Sequence, residues 1–298
     1  MKHLLSIEKL ARTDLEMILA DTAVMKRERG HSTRRPLTGQ VWALVFAKSS
    51  TRTRVSFEVG LRELGADALF LSAREIQLGR GEPIKDTARV LGRMVRGAVI
   101  RTFAQSEIEE FARYSGIPII NALTDDEHPC QILADLFTID ERVGSMAGKV
   151  VTFAGDGACN VATSWIWAAA KLGFELRIAA PKAYQPAPEL ITRAGGRIVV
   201  TEDVRAAARG ADVLYTDVWV SMGKEDEQEP RLRALAGYQV NGSLVELARP
   251  GALVMHCLPA YRGKEIDEAT LEANADTIFT QAENRLHAQK AILDWIVR

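Results

Sequence analysis

The sequence predicts an α/β protein of two domains, each a parallel β-sheet with helices on both faces. Short apolar, β-branched runs alternate with amphipathic stretches along nearly the whole chain. Strands separated by helices of about 10–15 residues are typical of parallel sheets. The runs form two series of similar size, and a chain of 298 residues with 47% hydrophobic composition is long enough for two cores.

The first series contains four runs that we interpret as buried strands. They are residues 41–47, 68–72, 98–103 and 117–122. Helices are predicted to begin near Ser50 and near Pro83, since proline suits a first helical turn. A third helix is predicted near Ser106, where Glu109 three residues later completes a capping box. Pro129 begins a fourth helix, which ends at a glycine.

The second series begins at residue 149 and contains six predicted strands. Their sequences are VVTFAG, ELRIAA, RIVVT, DVLYTDVW, ALVMHC and TIFTQ. Residues 283–297 have a helical pattern, which by itself allows the helix to close the second domain or to return to the first. Residues 221–241 form a polar segment rich in Glu, Lys and Arg. A loop of that length favours a functional lid over a simple connector.

Composition excludes several classes of protein. The chain has 38 Lys and Arg against 39 Asp and Glu, so it lacks the basic surplus of a nucleic-acid or anionic-membrane binder. No apolar run approaches the roughly 18 residues of a membrane span, and the acidic N-terminal stretch is not a secretion signal. The three cysteines, Cys130, Cys159 and Cys257, form no paired motif, which favours a reducing cytosol and argues against disulfides and structural zinc. We expect Cys130 to be a core residue.

The strongest functional motif is FAKSSTRTRVSFE at residues 46–58. A strand runs through a polar turn directly into a helix, whose N-terminus offers N–H groups and partial positive charge. Three hydroxyl donors belong to this turn: Ser50, Thr51 and Thr53. Arg52 adds a guanidinium that can bind phosphate bidentately, which predicts a phosphate cradle; an N-cap with solvated arginines is the alternative. Arg54 and Glu58 lie four apart and are predicted to form an ion pair.

Further candidate residues lie beside predicted strand ends and helix starts. His128 precedes a helix and Gln131 lies in its first turn, so both can polarise one carbonyl; the alternative is a capping histidine. Asp217 ends a strand, where an acid can face a ligand crevice and suit an ammonium group, or can anchor the loop. Cys257 is, on sequence alone, an inert packing residue. Asn160 either caps the next helix or faces the same crevice.

Together and in this order, the motifs resemble those of the transcarbamylase family along essentially the whole chain. They are STRTR at 50–54, HPCQ at 128–131, Asp217 followed by SMG at 221–223, and HCLP at 256–259. The first two are shared by enzymes that use carbamoyl phosphate, whereas SMG and HCLP distinguish the ornithine branch from the aspartate branch. The resemblance implies transfer of the carbamoyl group from carbamoyl phosphate to the δ-amine of L-ornithine in arginine metabolism, giving L-citrulline and phosphate. It implies no cofactor and no metal.

The resemblance also implies how the chain is organised. Residues 1–134 would bind carbamoyl phosphate, residues 135–283 would bind ornithine, and the helix 284–298 would pack back onto the first domain. The active site would lie in the cleft between the domains. The expected assembly is a cytoplasmic homotrimer in which Gln77 is donated to the neighbouring subunit's site.

Individual roles follow from the matched motifs. The resemblance assigns carbamoyl-phosphate binding to Ser50, Thr51, Arg52, Thr53, Gln77, Arg101, His128, Gln131, Cys257, Leu258 and Arg285. It assigns ornithine binding to Asn160, Asp217, Ser221 and Met222. It assigns catalysis to Arg52, Thr53, Arg101, His128, Gln131, Asp217 and Cys257. One alternative is a transcarbamylase for putrescine or an acylated ornithine. Another is a non-enzymatic regulatory homologue, which the competent residue at each matched reactive position argues against.

Overall fold

The computed structural model describes residues 1–72, 82–221 and 223–298. The chain divides into two compact units, Met1–Phe137 with Asn284–Arg298, and Thr138–Glu283. Each unit contains a parallel β-sheet, of four strands in the first and five in the second, within the described ranges. The predicted α/β class with two parallel sheets is confirmed.

The elements follow one another in strand–helix alternation. The strands of the described chain are β1 (Val41–Phe46), β2 (Asp67–Ser72), β3 (Gly97–Arg101), β4 (Ile119–Leu123), β5 (Val150–Ala154), β6 (Glu175–Ala179), β7 (Arg197–Thr201), β8 (Val213–Thr216) and β9 (Leu253–His256). Its helices are α1 (Arg12–Arg27), α2 (Thr51–Glu63), α3 (Ile84–Leu91), α4 (Gln105–Ser115), α5 (Pro129–Val143), α6 (Asn160–Leu172), α7 (Pro188–Ala194), α8 (Val204–Ala208), α9 (Gln228–Leu235), α10 (Gly242–Val245), α11 (Glu268–Ala273) and α12 (Ala275–Val297).

In the first unit the strand order is β2-β1-β3-β4. The direction of winding reverses between β1 and β3, and ligands of open α/β sheets bind at the carboxyl ends of the strands at such a reversal. Phe46 and Arg101 are register partners at those ends, and the N–H of Ala47 donates to the Arg101 carbonyl at 2.8 Å. The loop after β1 and the side chain that ends β3 therefore belong to the same corner of the sheet.

The core of the first unit depends on one close approach. Trp42 on β1 is fully buried, and a Cβ placed on Gly97 of β3 would lie 2.4 Å from its ring. Only glycine fits there, so the neighbouring strands can pair while the indole fills the space. Phe57 of α2 and Phe111 of α4 are also buried.

In the second unit the order is β7-β6-β5-β8-β9, so the reversal lies between β5 and β8. A cluster of aromatic side chains packs in the core of this unit. The Trp165 ring meets the rings of Phe174 and Tyr215 edge-on, with centroids 5.9 and 5.4 Å apart. The residues that follow β5 and β8 are thus presented at the edge where a ligand is expected.

The predicted strand TIFTQ, residues 277–281, is wrong. These residues lie inside α12, and the buried side chains recur at Ile278, Gln281 and Asn284. A spacing of three is the period of a helix face, whereas a strand would bury every second residue. The β-branched composition of the segment was overridden by this packing.

The predicted capping box at Ser106 is also wrong. The helix α4 begins at Gln105 and its N-cap is Ala104, which has extended dihedral angles and no side-chain cap. Ser106 is consequently already helical, and Glu109 pairs with Lys9 at 2.5 Å.

Two other expectations have mixed outcomes. The helix α5 does begin at Pro129 and is followed by Gly144 at φ +78°, as predicted. The polar segment 221–241, expected to be a loop, contains α9, which buries Arg231 and Leu235. Within the described residues, no helix is both long enough and apolar enough to cross a membrane.

Candidate active site

The predicted phosphate cradle is a capped helix N-terminus. Ser50 is the N-cap of α2; its Oγ accepts the Thr53 N–H at 3.3 Å and donates to Thr53 Oγ1 at 3.0 Å. Thr51 is exposed and Arg52 is half-buried, so both are accessible to a ligand. The predicted Arg54–Glu58 ion pair is confirmed at 2.6 Å. Arg54 therefore has a structural partner, which leaves Arg52 as the guanidinium of the cradle.

Two buried arginines lie close to the cradle. Arg285 of α12 donates from Nη2 to Thr53 Oγ1 at 2.5 Å, and its side chain is only 3% exposed. Arg101 ends β3 and is also buried. Buried guanidinium groups remain charged and favour an anionic ligand. The structure thus brings Ser50, Thr53 and Arg285 into one hydrogen-bonded group.

His128 is a buried, neutral imidazole in this electropositive corner. Burial lowers its pKa well below the ordinary value, and the charges of Arg285 and Arg101 lower it further. Since the folded-state pKa lies below the ordinary value, the ring is uncharged at neutral pH and gains a proton only as the pH falls far into the acidic range. A neutral imidazole can donate one hydrogen bond without repelling the arginines.

Gln131 has its amide orientation fixed by a neighbour. Its Nε2 donates to Asp135 Oδ1 at 2.8 Å, while its Oε1, also buried, has no hydrogen-bond partner in the part of the chain that the structure describes. The free carbonyl oxygen suits an N–H donor of a ligand. Cys130, in contrast, donates to the Asn121 carbonyl at 3.3 Å, and burial raises its pKa to about 12. The prediction of a core role for Cys130 is confirmed.

The second unit brings Asp217 and Cys257 together. Asp217 directly follows β8 and Cys257 directly follows β9, and the Cys257 Sγ donates to Asp217 Oδ1 at 2.9 Å. Burial raises the pKa of Asp217 above its ordinary value, although the hydrogen bonds from the Cys257 thiol and the Val218 N–H act to lower it. The pair provides a desolvated acceptor that an ammonium group would stabilise strongly.

A hydrogen-bond network shapes the turn after Cys257. His256 Nδ1 accepts the N–H of Leu258 at 2.8 Å, so its Nε2 carries the proton and donates to Glu265 Oε1 at 3.2 Å. The same Glu265 oxygen accepts the N–H of Tyr261 at 2.5 Å. Leu258 has φ +56°, and the peptide bond to Pro259 is cis. The fully buried His256 and Glu265 therefore define the backbone path of the turn.

The loop after β5 presents Asn160 in the first turn of α6. The cap of that helix is Cys159, whose Sγ accepts the Ala162 N–H at 3.4 Å. The alternative that Asn160 caps the helix is therefore wrong, because the preceding residue has that position. Asn160 is half-buried.

Arg231 ties the polar segment 221–241 to this loop. Its Nη1 donates to Asp156 Oδ2 at 2.7 Å and to the Trp219 carbonyl at 3.4 Å, and both charged side chains are at most 5% exposed. Ser221, half-buried, follows two residues after Trp219. The salt bridge thus fixes the start of the segment relative to the loop that carries Asn160.

Two predicted residues, Gln77 and Met222, lie outside the described residues. Sequence reasoning missed two others. Lys48 is buried next to the cradle, paired with Asp125, and its Nζ lies 4.3 Å from the centre of the Phe103 ring. Glu265 is the second. Lys48 could have been recognised from the sequence, because it lies in the motif at residues 46–58 shortly before Ser50. No local sequence feature distinguishes Glu265 from an acid on the surface.

One group in the described chain has the composition of a metal site. Potential ligand atoms of Asp217, His256 and Cys257 lie within 4.8 Å of one another. Both ring nitrogens of His256 are already engaged, with Leu258 and Glu265. A metal ion would have to displace one of these bonds, so the arrangement fits a hydrogen-bonded network better than a metal centre.

The fold and these residues define an α/β protein with an electropositive corner of hydroxyls and buried arginines in one unit and a buried acid–thiol pair in the other. Residues 2–141 match the family model for the aspartate/ornithine carbamoyltransferase carbamoyl-P binding domain, and residues 147–296 match its Asp/Orn binding domain. The chain belongs to the aspartate/ornithine carbamoyltransferase family.

Several similar proteins are named for the ornithine branch. The chain is 56% identical to the ornithine carbamoyltransferase of Akkermansia muciniphila over 98% of this chain and 97% of the relative. It is 48% identical to that of Campylobacter fetus over 100% of this chain and 99% of the relative. Among solved structures, the ornithine carbamoyltransferase from Pyrococcus furiosus has a TM-score of 0.93 at 41% identity, covering 99% of this chain and 96% of that one.

Proposed function

We propose that this protein transfers the carbamoyl group of carbamoyl phosphate to the δ-amine of L-ornithine, giving L-citrulline and phosphate. The main support for this proposal is the similarity of the chain, over its full length, to ornithine carbamoyltransferases. The buried Asp217–Cys257 pair, which lies within the motifs of that branch, agrees with it.

Carbamoyl phosphate is bound by the first unit. Its phosphate accepts hydrogen bonds from the N-terminus of α2 and from the hydroxyls of Ser50, Thr51 and Thr53, while Arg52 and Arg285 neutralise its charge. This assignment rests on the capped helix and on the 2.5 Å contact of Arg285 with Thr53. Arg52 also stabilises the charge of phosphate as it leaves.

The carbamoyl end is oriented by His128, Gln131 and Arg101. The neutral imidazole and the guanidinium donate to the carbonyl oxygen, and the free Oε1 of Gln131 accepts from the carbamoyl NH2. When the amine attacks, the carbonyl becomes a tetrahedral oxyanion that Arg101, His128 and Thr53 stabilise. Removal of one such donor typically lowers kcat by about 10²–10³-fold. Since carbamoyl phosphate is an activated anhydride, the residues of the chain need only orient the substrates, exclude water from them and stabilise the tetrahedral oxyanion and the leaving phosphate.

Ornithine is bound by the second unit through Asn160, Asp217, Ser221 and Met222, and Cys257 and Leu258 contribute the turn beside the reacting groups. Asp217 pairs with the α-ammonium, and Asn160 binds the α-carboxylate. The δ-amine has a pKa near that of lysine and must lose a proton before attack. A dry site beside the Asp217–Cys257 pair favours the neutral amine.

The amine specificity is tested by phosphate release from carbamoyl phosphate with ornithine, putrescine, an Nα-acylated ornithine or aspartate. We expect release with ornithine and only a slow background with the other amines. A preference for putrescine or the acylated substrate would establish one of the alternative transcarbamylases. Release with none of them would favour a non-enzymatic homologue.

We further propose domains of 1–134 with 284–298, and 135–283, in a cytoplasmic homotrimer that functions in arginine metabolism. Support for the assembly comes from the outer face of the first unit. Val55 on α2 and Leu69 on the edge strand β2 are 54% and 45% exposed. An edge strand with exposed apolar side chains offers a surface that another copy of the chain can cover. Three buried free cysteines are consistent with a reducing compartment.

Mixing two inactive variants tests whether Gln77 acts in the neighbouring site. Arg52→Ala and Gln77→Ala proteins should each be inactive. After subunit exchange, some sites would contain Arg52 from one chain and Gln77 from the next, so activity should partly return. An absence of recovery, after exchange has been verified by mass, would show that Gln77 does not act in trans.

A further inference from the structure

Glu127 is a buried carboxylate immediately before His128, and the proposed reaction gives it no role. Its side chain is 3% exposed. Its Oε2 accepts the backbone N–H of Ile7 at 2.7 Å, and its Oε1 is 3.4 Å from the backbone nitrogen of Glu8. A carboxylate this deeply buried is stable only when it is hydrogen-bonded. The backbone amides near the start of the chain therefore take the place of water around Glu127.

The segment that supplies these amides is itself fixed to the sheet. The N–H of Leu4 donates to the Ile119 carbonyl at 2.9 Å, and the N–H of Asn121 donates to the Leu4 carbonyl at 2.7 Å. This single parallel bridge places the segment beside β4, the strand at the edge of the first sheet. Leu4 and Ile7 are fully buried. The segment is thus a packed part of the unit and a rigid support for Glu127.

The backbone of Glu127 is equally constrained. The N–H of Thr124 donates to the Glu127 carbonyl at 2.9 Å, and the N–H of Glu127 donates to Thr124 Oγ1 at 3.2 Å. These bonds close the turn between β4 and α5. His128 follows directly, and its carbonyl accepts the N–H of Gln131 at 3.1 Å. Any movement of Glu127 is transmitted to the imidazole and to the first turn of α5.

We propose that Glu127 is a positioning residue, which clamps the loop of His128 to the amides of Ile7 and Glu8. The inference rests on the proposed function, in which His128 donates to the reacting carbonyl. Glu127 touches no substrate and acts through the orientation of the imidazole. The N-terminal segment is thereby part of the scaffold of the active site.

Three variants test the clamp. Glu127→Leu removes both acceptor oxygens and is expected to lower kcat about tenfold while the KM for ornithine stays within about twofold, because a small displacement of a catalytic group slows the reaction more than it weakens binding. Glu127→Gln keeps one carbonyl oxygen for Ile7 and should retain most of the activity. Glu109→Gln is the matched control, since exposed Glu109 pairs with Lys9 of the same segment; its kcat should equal that of the wild type.

Hydrogen exchange of the Ile7 amide reports the clamp directly. We expect faster exchange in Glu127→Leu and slow exchange in Glu109→Gln. A Glu127→Leu enzyme with accelerated exchange but wild-type kcat would overturn the proposal, as would unchanged exchange. If Glu127→Leu does not fold, Glu127→Asp answers the same question, because its shorter side chain withdraws the carboxylate from Ile7; the same loss of kcat and faster exchange are expected.

The proposed function fails in a different way. An inactive wild type, or a His128→Ala enzyme as active as the wild type, would refute the role of His128 in carbamoyl transfer. A wild type that carbamoylates ornithine, an impaired His128→Ala enzyme and a normal Glu127→Leu enzyme would refute only the clamp.

Discussion

Replacement of Arg52 by alanine is expected to weaken carbamoyl-phosphate binding by about 100-fold, since a charged hydrogen bond contributes roughly 1.5–3 kcal/mol. The guanidinium is half-buried at the N-terminus of α2, beside the Ser50 cap. Because Arg52 also stabilises the phosphate that leaves, kcat should fall as well. Calorimetric titration with carbamoyl phosphate and steady-state kinetics measure the two effects separately.

Arg62→Ala is the matched control for this prediction. Arg62 lies on the same helix, is exposed, and is in the last turn, away from the cradle. Its variant should bind carbamoyl phosphate as the wild type does. If Arg52→Ala retains affinity within a few-fold of that control, Arg52 is not part of the phosphate site.

Replacement of Asp217 by asparagine is expected to lower kcat/KM for ornithine about tenfold or more, because the buried carboxylate is the charged partner of the α-ammonium. Affinity for carbamoyl phosphate alone should be nearly unchanged, since the first unit holds that ligand. 5-Aminopentanoate keeps the carboxylate and the reacting amine of ornithine but lacks the α-ammonium, so it separates the possible roles. An equal proportional loss for both amines would mean that Asp217 acts on the reacting amine or on the following loop.

The raised pKa of Asp217 predicts a pH dependence. The protonated form cannot pair with an ammonium group, so kcat/KM for ornithine should fall as the pH decreases through this pKa. The asparagine variant should lack that acidic decline. Because the folded-state pKa lies above the ordinary value, the ionised carboxylate lowers stability at higher pH. At mildly alkaline pH, the midpoint urea concentration for unfolding of the Asp217→Asn protein should therefore equal or exceed that of the wild type.

Asp226→Asn controls for a general change of charge in the same segment, since Asp226 is exposed. Its kinetics with ornithine should match those of the wild type. An Asp217→Asn enzyme with an unchanged ornithine rate would remove Asp217 from the site.

The strands were predictable from the sequence because buried parallel strands are short apolar runs between polar turns. The segment TIFTQ misled this reasoning, since its β-branched residues fit a strand and only the burial of Ile278 and Gln281 on one helix face reveals the α12 conformation. The capping box failed for a similar reason. The residue pattern was present, but α4 begins at Gln105, one residue before Ser106, with Ala104 as its N-cap.

The site was predictable where its chemistry is local. The turn containing Ser50 and Arg52 is contiguous, so its N–H groups, hydroxyls and charge could be read together. Contacts between distant positions could not be read. Arg285 and Thr53 are 232 positions apart, and Glu127 reaches Ile7 across 120. Such pairings depend on the packing of α12 and of the N-terminal segment, which no local pattern encodes.

The central claim is transfer of the carbamoyl carbon to the δ-nitrogen of ornithine. The most direct measurement uses carbamoyl phosphate labelled with ¹³C in the carbonyl and ornithine labelled with ¹⁵N at the δ-position, followed by NMR of the product. The proposed function predicts a one-bond ¹³C–¹⁵N coupling in the ureido group of citrulline, and a much smaller amount of this product in Asp217→Asn and Arg52→Ala reactions run for the same time. Label in an α-carbamoyl product, or no transfer to ornithine by the wild type, would contradict it.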